Sequence, residues 1–193
     1  MMSIEVAVIF GSGRRHGNSE AAAEAVLTAL LQPGDNVSRF HLCDLTVSHC
    51  RSCNTCAGNG GICILNDGMD DIYEAILTAD LLLLATPIYF SGPSSLLKQA
   101  IDRCQCLWSR RSLDHGGRWG ALIMVAGQEK ANFRNTVSIS RSFLNSIPVQ
   151  WAGDLSLAGY DEQDDVASSS NALQQAASFG ETLGKMIRGL PSP

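Results

Sequence analysis

Positive charge is in short supply. Fourteen lysines and arginines face nineteen aspartates and glutamates, for a net charge of −5, and the cations nowhere gather into a run. Such a surface does not track a phosphate backbone, which excludes a general nucleic-acid binder. Long apolar stretches are missing as well. The longest of them fall far below the roughly 20 residues that cross a bilayer. The opening MMSIEVAVIF enters a strand-like segment at once, without the basic region, long apolar region and cleavage site of a secretory signal. A cytoplasmic protein with no membrane partner is expected. Several catalytic patterns are also absent. GSGRRHG at Gly11–Gly17 is neither the dinucleotide fingerprint nor a P-loop, since no Gly-Lys-Ser/Thr follows. No Ser–His–Asp arrangement or carboxylate pair stands out, and there are no internal repeats or low-complexity tracts.

What the chain does hold suits one well-buried α/β domain. At 45% apolar and 17% charged over 193 residues it can bury a sizeable core, so 1–193 reads as a single domain with a surface excursion at 43–67. The organising stretch is Ala79–Arg103. Leu81–Ala85 is the short apolar run of a strand buried on both faces. Thr86–Pro93 reads as a loop with two prolines, a glycine and the adjacent aromatics Tyr89 and Phe90. Ser94 then N-caps a helix whose apolar stripe is Leu97, Ala100, Ile101 and Cys104. A loop at the carboxyl end of such a strand is where open α/β sheets bind ligands. Backbone amides, a proline bend and aromatic surface suit a flat, polar-edged ring such as a flavin. An ordinary connection with two core aromatics is the plain alternative.

The first strand, Ile4–Phe10, leads through Gly11–Ser19 into an alanine-rich helix over Ser19–Leu31. Strand, glycine-rich turn and helix N-terminus together bind phosphate through free N–H groups and the helix dipole. Ser12, Asn18 and Ser19 add donors, and Arg14 or Arg15 adds charge. A capped turn with surface arginines is the bland reading. Further strands are expected at Val37–Leu42, Trp119–Ala126 and Val149–Leu157, with helices at Gly68–Ala79, Phe133–Ser146 and Asp161–Arg188. Five strands alternating with five helices predict a doubly wound parallel sheet of order 2-1-3-4-5. That order brings the loops after strands 1 and 3 to one crevice.

Seven cysteines are many for a cytoplasmic chain, where structural disulfides are rare. Cys50, Cys53 and Cys56 form C-x2-C-x2-C, and Gly58, Gly60 and Gly61 would let Cys63 fold back to them. This run begins many [4Fe–4S] sites. Structural zinc, a redox dithiol, or small buried side chains with no cofactor are competing readings. Cys43, Cys104 and Cys106 lack partners by spacing and read as structural. The histidines at 16, 41, 49 and 115 lack ligand spacing to one another; His49, beside Cys50, could tune a cluster. Arg110 and Arg111 would meet an acidic cofactor or partner, or simply water.

On these motifs the chain resembles the NAD(P)H-dependent FMN reductase group of flavodoxin-like proteins, and within it the iron–sulfur flavoproteins. The matching residues are Gly11-Ser12…Arg14…Gly17-Asn18-Ser19, the four-cysteine loop leading to Asp67-Gly68-Met69, and Thr86–Gly92 followed by Leu97-Lys98…Ile101-Asp102-Arg103. The resemblance covers residues 4–126 well and the last third by fold only. It implies a flavodoxin-like three-layer sandwich. It also implies that Ser12, Arg14, Asn18 and Ser19 bind FMN phosphate, while Pro87, Ile88, Tyr89, Phe90, Ser91 and Gly92 wrap the ring. The loop from Gly127 would approach the far edge, and Cys50, Cys53, Cys56 and Cys63 would hold a [4Fe–4S] cluster. Departures are Gly13, where many members carry proline, and few glycines in the third loop. The resemblance implies an oxidoreductase passing electrons from NAD(P)H through FMN to a flavin, quinone or other small acceptor. Its alternative is an electron carrier for a redox protein such as ferredoxin, and a third reading is a binding module without turnover. A homodimer or homotetramer is implied, with the cysteine loop near a subunit contact.

Overall fold

The computed structural model describes residues 3–110, 117–147 and 149–189. Arg111 and His115 of the expected polar loop, the side chain of Arg110, and the closing Pro191 lie outside the described residues. The first strand, β1 (Glu5–Phe10), is buried from Val6 onward because both its faces are covered. Val6, Val8 and Phe10 point into one core and Ala7 and Ile9 into the other, the period of two that a pleated strand imposes. Helix α1 (Asn18–Leu30) follows, and β2 (Asn36–His41) forms a half-exposed edge. The long connection at 43–67 follows from a 3-10 turn over Leu42–Asp44 and contains one short α-helix, α2 (Thr55–Gly58). Helix α3 (Asp70–Thr78) begins where the Asp67 carboxylate accepts from the Met69 N–H at 3.2 Å.

The next strand runs further than the sequence suggests. β3 spans Leu81–Tyr89 and turns back into a two-residue strand, β4 (Gly92–Pro93). Pro87 ends a strand by most rules, since it has no N–H to donate. Here β1 stops pairing at Ala85, so the missing donor faces no neighbour while Pro87 keeps its register with Val125 of β5 (Trp119–Ala126). Helix α4 (Ser95–Arg103) has Ser94 as its N-cap, the Oγ accepting from the Leu97 N–H at 3.1 Å. A 3-10 turn over Cys104–Arg110 continues from it. Helix α5 (Arg134–Ser146) and strand β6 (Gln150–Ala158) follow. The single last helix expected is two, α6 (Asp165–Ser168) and α7 (Ser170–Ile187). Ser169 between them is extended, and its Oγ caps the Ala172 N–H.

Among the described residues the sheet therefore has six strands rather than five. Five run parallel in the order β2-β1-β3-β5-β6, and β4 pairs antiparallel with β3, off that path. A strand of two residues containing proline carries no period to read, so its sequence reads as loop. Helices α1 and α7 pack together over one face, around Val26, Leu27, Leu83 and Ile123. On the other face α3, α4 and α5 bury Ile72, Leu97, Leu144 and Met124. The result is a three-layer α/β fold, with the carboxyl ends of β1, β3, β5 and β6 along one edge.

Candidate functional site

At that edge lies a cavity of about 620 Å³. Ten of the eleven residues that sequence reasoning assigned to FMN line it: Ser12, Arg14, Asn18, Ser19, Pro87, Ile88, Tyr89, Phe90, Ser91 and Gly127. Gly92 is not among the lining residues; it pairs with Tyr89 as the base of the β3–β4 hairpin. The two principal loops are fastened to each other. Gly11 N–H donates to Ala85 O at 2.7 Å, and Ser94 Oγ donates to Gly11 O at 2.5 Å. A Cβ on Gly11 would stand 2.7 Å from Leu97 Cβ, so only glycine lets the first loop come this close to α4.

The first loop presents an anion cradle. The first helical bond of α1 runs from Ala21 N–H to Gly17 O, so the N–H groups before it have no carbonyl one turn back. Ser12 Oγ accepts from Arg14 N–H at 3.0 Å and shapes the turn. The side chain of Asn18 is engaged elsewhere. Its Nδ2 donates to Tyr160 O and Glu162 O, and its Oδ1 accepts from Val166 N–H, which pins the β6–α6 connection. Asn18 therefore offers a ligand its backbone rather than its amide. Behind the cradle Glu20, nearly buried, accepts from His16 N–H at 2.7 Å, with Arg15, His16 and His41 within 4 Å. His41 stacks on Phe10 at 4.3 Å, and burial lowers its pKa.

The third strand's loop is a tight hairpin under strain. Phe90 and Ser91 at its tip have φ of 51° and 62°, the left-handed region that side chains with a Cβ avoid. Phe90 is fully exposed and Tyr89 half-exposed. Aromatic surface held out in water by a strained turn is what a ring-binding loop requires, and it contributes nothing to the core.

Sequence reasoning put the loop from Gly127 on the other side of the cavity but missed the contribution of the last strand. Tyr160 and Asp161 line it from the end of β6, and Val125, Ala126, Gln128 and Ala131 from the end of β5. A Cβ on Gly127 would collide with the Asp161 side chain, so these two loops are packed together as closely as the first pair. The rule that ligands meet the carboxyl ends of parallel strands would have pointed to Gly159-Tyr160-Asp161.

The four cysteines assigned to a metal, Cys50, Cys53, Cys56 and Cys63, line a second cavity of about 610 Å³, with His49 and Arg51. All four are free thiols. Both ends of their loop are tied to α4. Gln99 Nε2 donates to Val47 O, and the buried Arg103 donates to Ser48 O at 2.8 Å, Asp67 Oδ2 at 2.6 Å and Cys63 Sγ at 3.6 Å. Burial would raise the Asp67 pKa, but Arg103 and the N–H groups of Ser48 and Met69 outweigh it and hold the carboxyl below its usual range. The Thr55 hydroxyl and N–H lower that of the exposed Cys53. Cys104 and Cys106 are buried in the core, as expected of structural thiols.

Residues 4–150 match the family of NADPH-dependent FMN reductases. The chain belongs to that family. An iron–sulfur flavoprotein of Archaeoglobus fulgidus is 30% identical over 133 residues, which is 67% of this chain and 60% of that protein. Another, from Methanosarcina thermophila, is 26% identical over 81% of each chain. The chain thus spans about three-fifths of the Archaeoglobus relative's length. An NADH:FMN oxidoreductase solved in its apo form superposes with a TM-score of 0.69 at 20% identity, over 99% of this chain and 92% of its own. That likeness concerns the fold.

The first cavity suits the cofactor of an FMN reductase. It joins an N–H cradle beside Arg14 to an aromatic hairpin, across a space of the right order for a small cofactor. The second cavity has the right donors in kind for an iron–sulfur cluster, all facing one space. Among the described residues, however, no three thiol, imidazole or carboxylate groups stand together as a metal-holding set. Nor is any helix there long and apolar enough to cross a membrane.

Proposed function

We propose that this protein is an FMN-dependent oxidoreductase that takes electrons from NAD(P)H and passes them to a flavin, a quinone or another small acceptor. The observation that carries the reading is the single cavity lined by both the α1 cradle and the Tyr89–Phe90 hairpin. When bound, the flavin supplies the hydride chemistry itself, so the chain needs no acid or base of its own. Ser12, Arg14 and the N–H groups of Asn18 and Ser19 hold the phosphate end, and Pro87–Ser91 shapes the ring's seat. Gly127 and Asp161 close the far side. Exposure of the hairpin leaves one side open to a second flat ring. Titrating the apoprotein with FMN and following flavin fluorescence tests this: saturation at one FMN per chain is expected. Failure to bind would overturn the assignment of these loops. Steady-state oxidation of NADH and NADPH, with quinone or free flavin as acceptor, then tests the activity.

A second reading has its own support in the cavity that Cys50, Cys53, Cys56 and Cys63 share and in the relatives called iron–sulfur flavoproteins. In it the four thiols hold a [4Fe–4S] cluster and the protein carries electrons to a redox protein, with little NAD(P)H turnover. Iron analysis on anaerobically purified protein decides. Stoichiometric iron that is lost in Cys53→Ala, with FMN retained, supports the cluster; iron-free native protein removes it. A homodimer or homotetramer, with the cysteine loop near the contact, completes the proposal and is read by light scattering.

A further inference from the structure

A third cavity, a shallow groove of about 660 Å³, runs along the outer face of α5. Arg134, Ser138, Arg141, Ser142 and Asn145 line it at helical spacing, all exposed. Ala131 lines both this groove and the first cavity, so the two adjoin. The charge here runs against the rest of the chain. Residues 131–147 contain two arginines and no carboxylate, in a protein of net charge −5.

Most described arginines have structural partners. Arg15, Arg39, Arg103 and Arg188 are in ion pairs, and Arg118 donates to the carbonyls of Ile76 and Ala79 at the end of α3. Four have neither kind of partner among the described residues: Arg14 in the FMN cavity, Arg51 in the cysteine cavity, and Arg134 and Arg141 in this groove. These four arginines without such partners each line one of the three cavities. Arg141 is also held in place, its guanidinium 5.6 Å from the Trp151 ring centroid. Planar guanidinium groups with serine and asparagine donors beside them recognise phosphate.

We propose that this groove holds the phosphates of the nicotinamide dinucleotide, and that Arg141 engages the ribose phosphate that distinguishes NADPH from NADH. The inference rests on the oxidoreductase reading above. A dinucleotide whose nicotinamide lies in the flavin cavity leaves it past Ala131. Arg134, three residues on, meets the pyrophosphate. Arg141 lies seven residues further, roughly 10 Å along the helix axis, where the adenosine end arrives. A groove that adjoins a small-molecule cavity favours this occupant over an acidic protein.

The test uses the FMN-loaded protein and its Arg134→Gln and Arg141→Gln variants, titrated with NADP+ and NAD+ and assayed for KM and kcat with the reduced nucleotides. Arg141→Gln should weaken NADP+ binding about fivefold, with NAD+ changed less than about twofold, as loss of one exposed charged phosphate contact implies. Arg134→Gln should weaken both nucleotides. Neither should alter kcat at saturation or FMN affinity. Unchanged affinities, or equal losses for the two nucleotides in Arg141→Gln, overturn the proposal. So does slowed reduction by an acidic redox protein with both KM values unchanged, which would make the groove a docking face. A native protein that binds neither nucleotide also overturns it. Arg141-dependent NADP+ binding without NADPH oxidation would instead leave the groove standing and remove the oxidoreductase reading.

Discussion

The cavity proposed for FMN and the cysteine cavity are nearly equal in volume, about 620 and 610 Å³, and they are built by different means. The first takes the ends of four parallel strands and is assembled largely by main chain: a cradle of N–H groups, a hairpin tip, and glycines that let neighbouring loops touch. The second is one long loop, closed by a handful of side chains on α4 and by Asp67. Topology holds the first in place, whereas the second depends on individual bonds. Damage should therefore spread differently in the two.

The largest effect expected is from Arg103→Met. Its guanidinium, 1% exposed, bonds Ser48, Asp67, Cys63 and Leu65, so its loss unpins both ends of the loop and leaves Asp67 as an unpaired buried charge. Breaking one side of a buried pair costs about 3–5 kcal/mol. Urea unfolding should show that loss, and alkylation of Cys56 and Cys63, both half-buried, should accelerate. FMN affinity should change little if the two cavities are separately held. A parallel collapse of flavin binding would show them to be one unit.

The pH dependence sharpens the same contrast. The folded pKa of Asp67 lies below its unfolded value, so its stabilising effect is complete above the ordinary carboxylate range and is lost as pH falls through the depressed value. Asp35 behaves alike; burial raises its pKa, but the N–H groups of Gln32 and Ile4 and the Arg188 guanidinium outweigh that. Urea midpoints measured from about pH 7 down to about pH 3 should fall for the native chain. Asp67→Asn should start lower and fall less steeply, keeping the part due to Asp35. Curves of identical slope would mean that the ion pair with Arg103 carries no pH-dependent stability.

How much could be read in advance follows the same division. That the Gly11–Ser19 and Thr86–Pro93 segments share one crevice was legible because the strand order brings them together whatever the side-chain detail. The far wall, Tyr160 and Asp161, follows from the same rule applied to the last strand. The pinning of the cysteine loop was not legible. Arg103 lies 55 residues from Ser48, and nothing local in LKQAIDR marks an arginine that will be buried. The extension of β3 past Pro87 was hidden too, since only the early end of β1 makes a missing donor harmless there. Asn18 shows the converse: its place at the helix N-terminus suggested a ligand donor, yet its amide ties three main-chain groups of the last loop.

Ser94 ties α4 to the first loop. Its Oγ caps α4 and donates to Gly11 O, and its N–H donates to Thr86 Oγ1. Ser94→Ala removes the cap and leaves a buried carbonyl without its donor, a loss of about 1–2 kcal/mol. Because the first loop rests on that bond, FMN affinity should fall with stability. Thermal unfolding with and without FMN separates the two, and a variant with unchanged flavin affinity would show that the Gly11 contact does not shape the cradle.

The smallest effect on stability, and the most selective on binding, is expected from Phe90→Gly. The side chain is fully exposed, so removing it forfeits no buried area, and glycine adopts the left-handed φ of 51° without strain. Relief of that strain, about 1 kcal/mol, roughly offsets the freedom glycine adds to the unfolded chain. Unfolding free energy should stay within about 0.5 kcal/mol of the native value. FMN binding should weaken by about 1 kcal/mol, roughly fivefold in Kd, through loss of aromatic contact. Urea unfolding and a fluorescence titration on the same sample give both numbers. Lost stability would place Phe90 in the fold rather than the site. An unchanged Kd would mean that the strained hairpin serves something other than the ring.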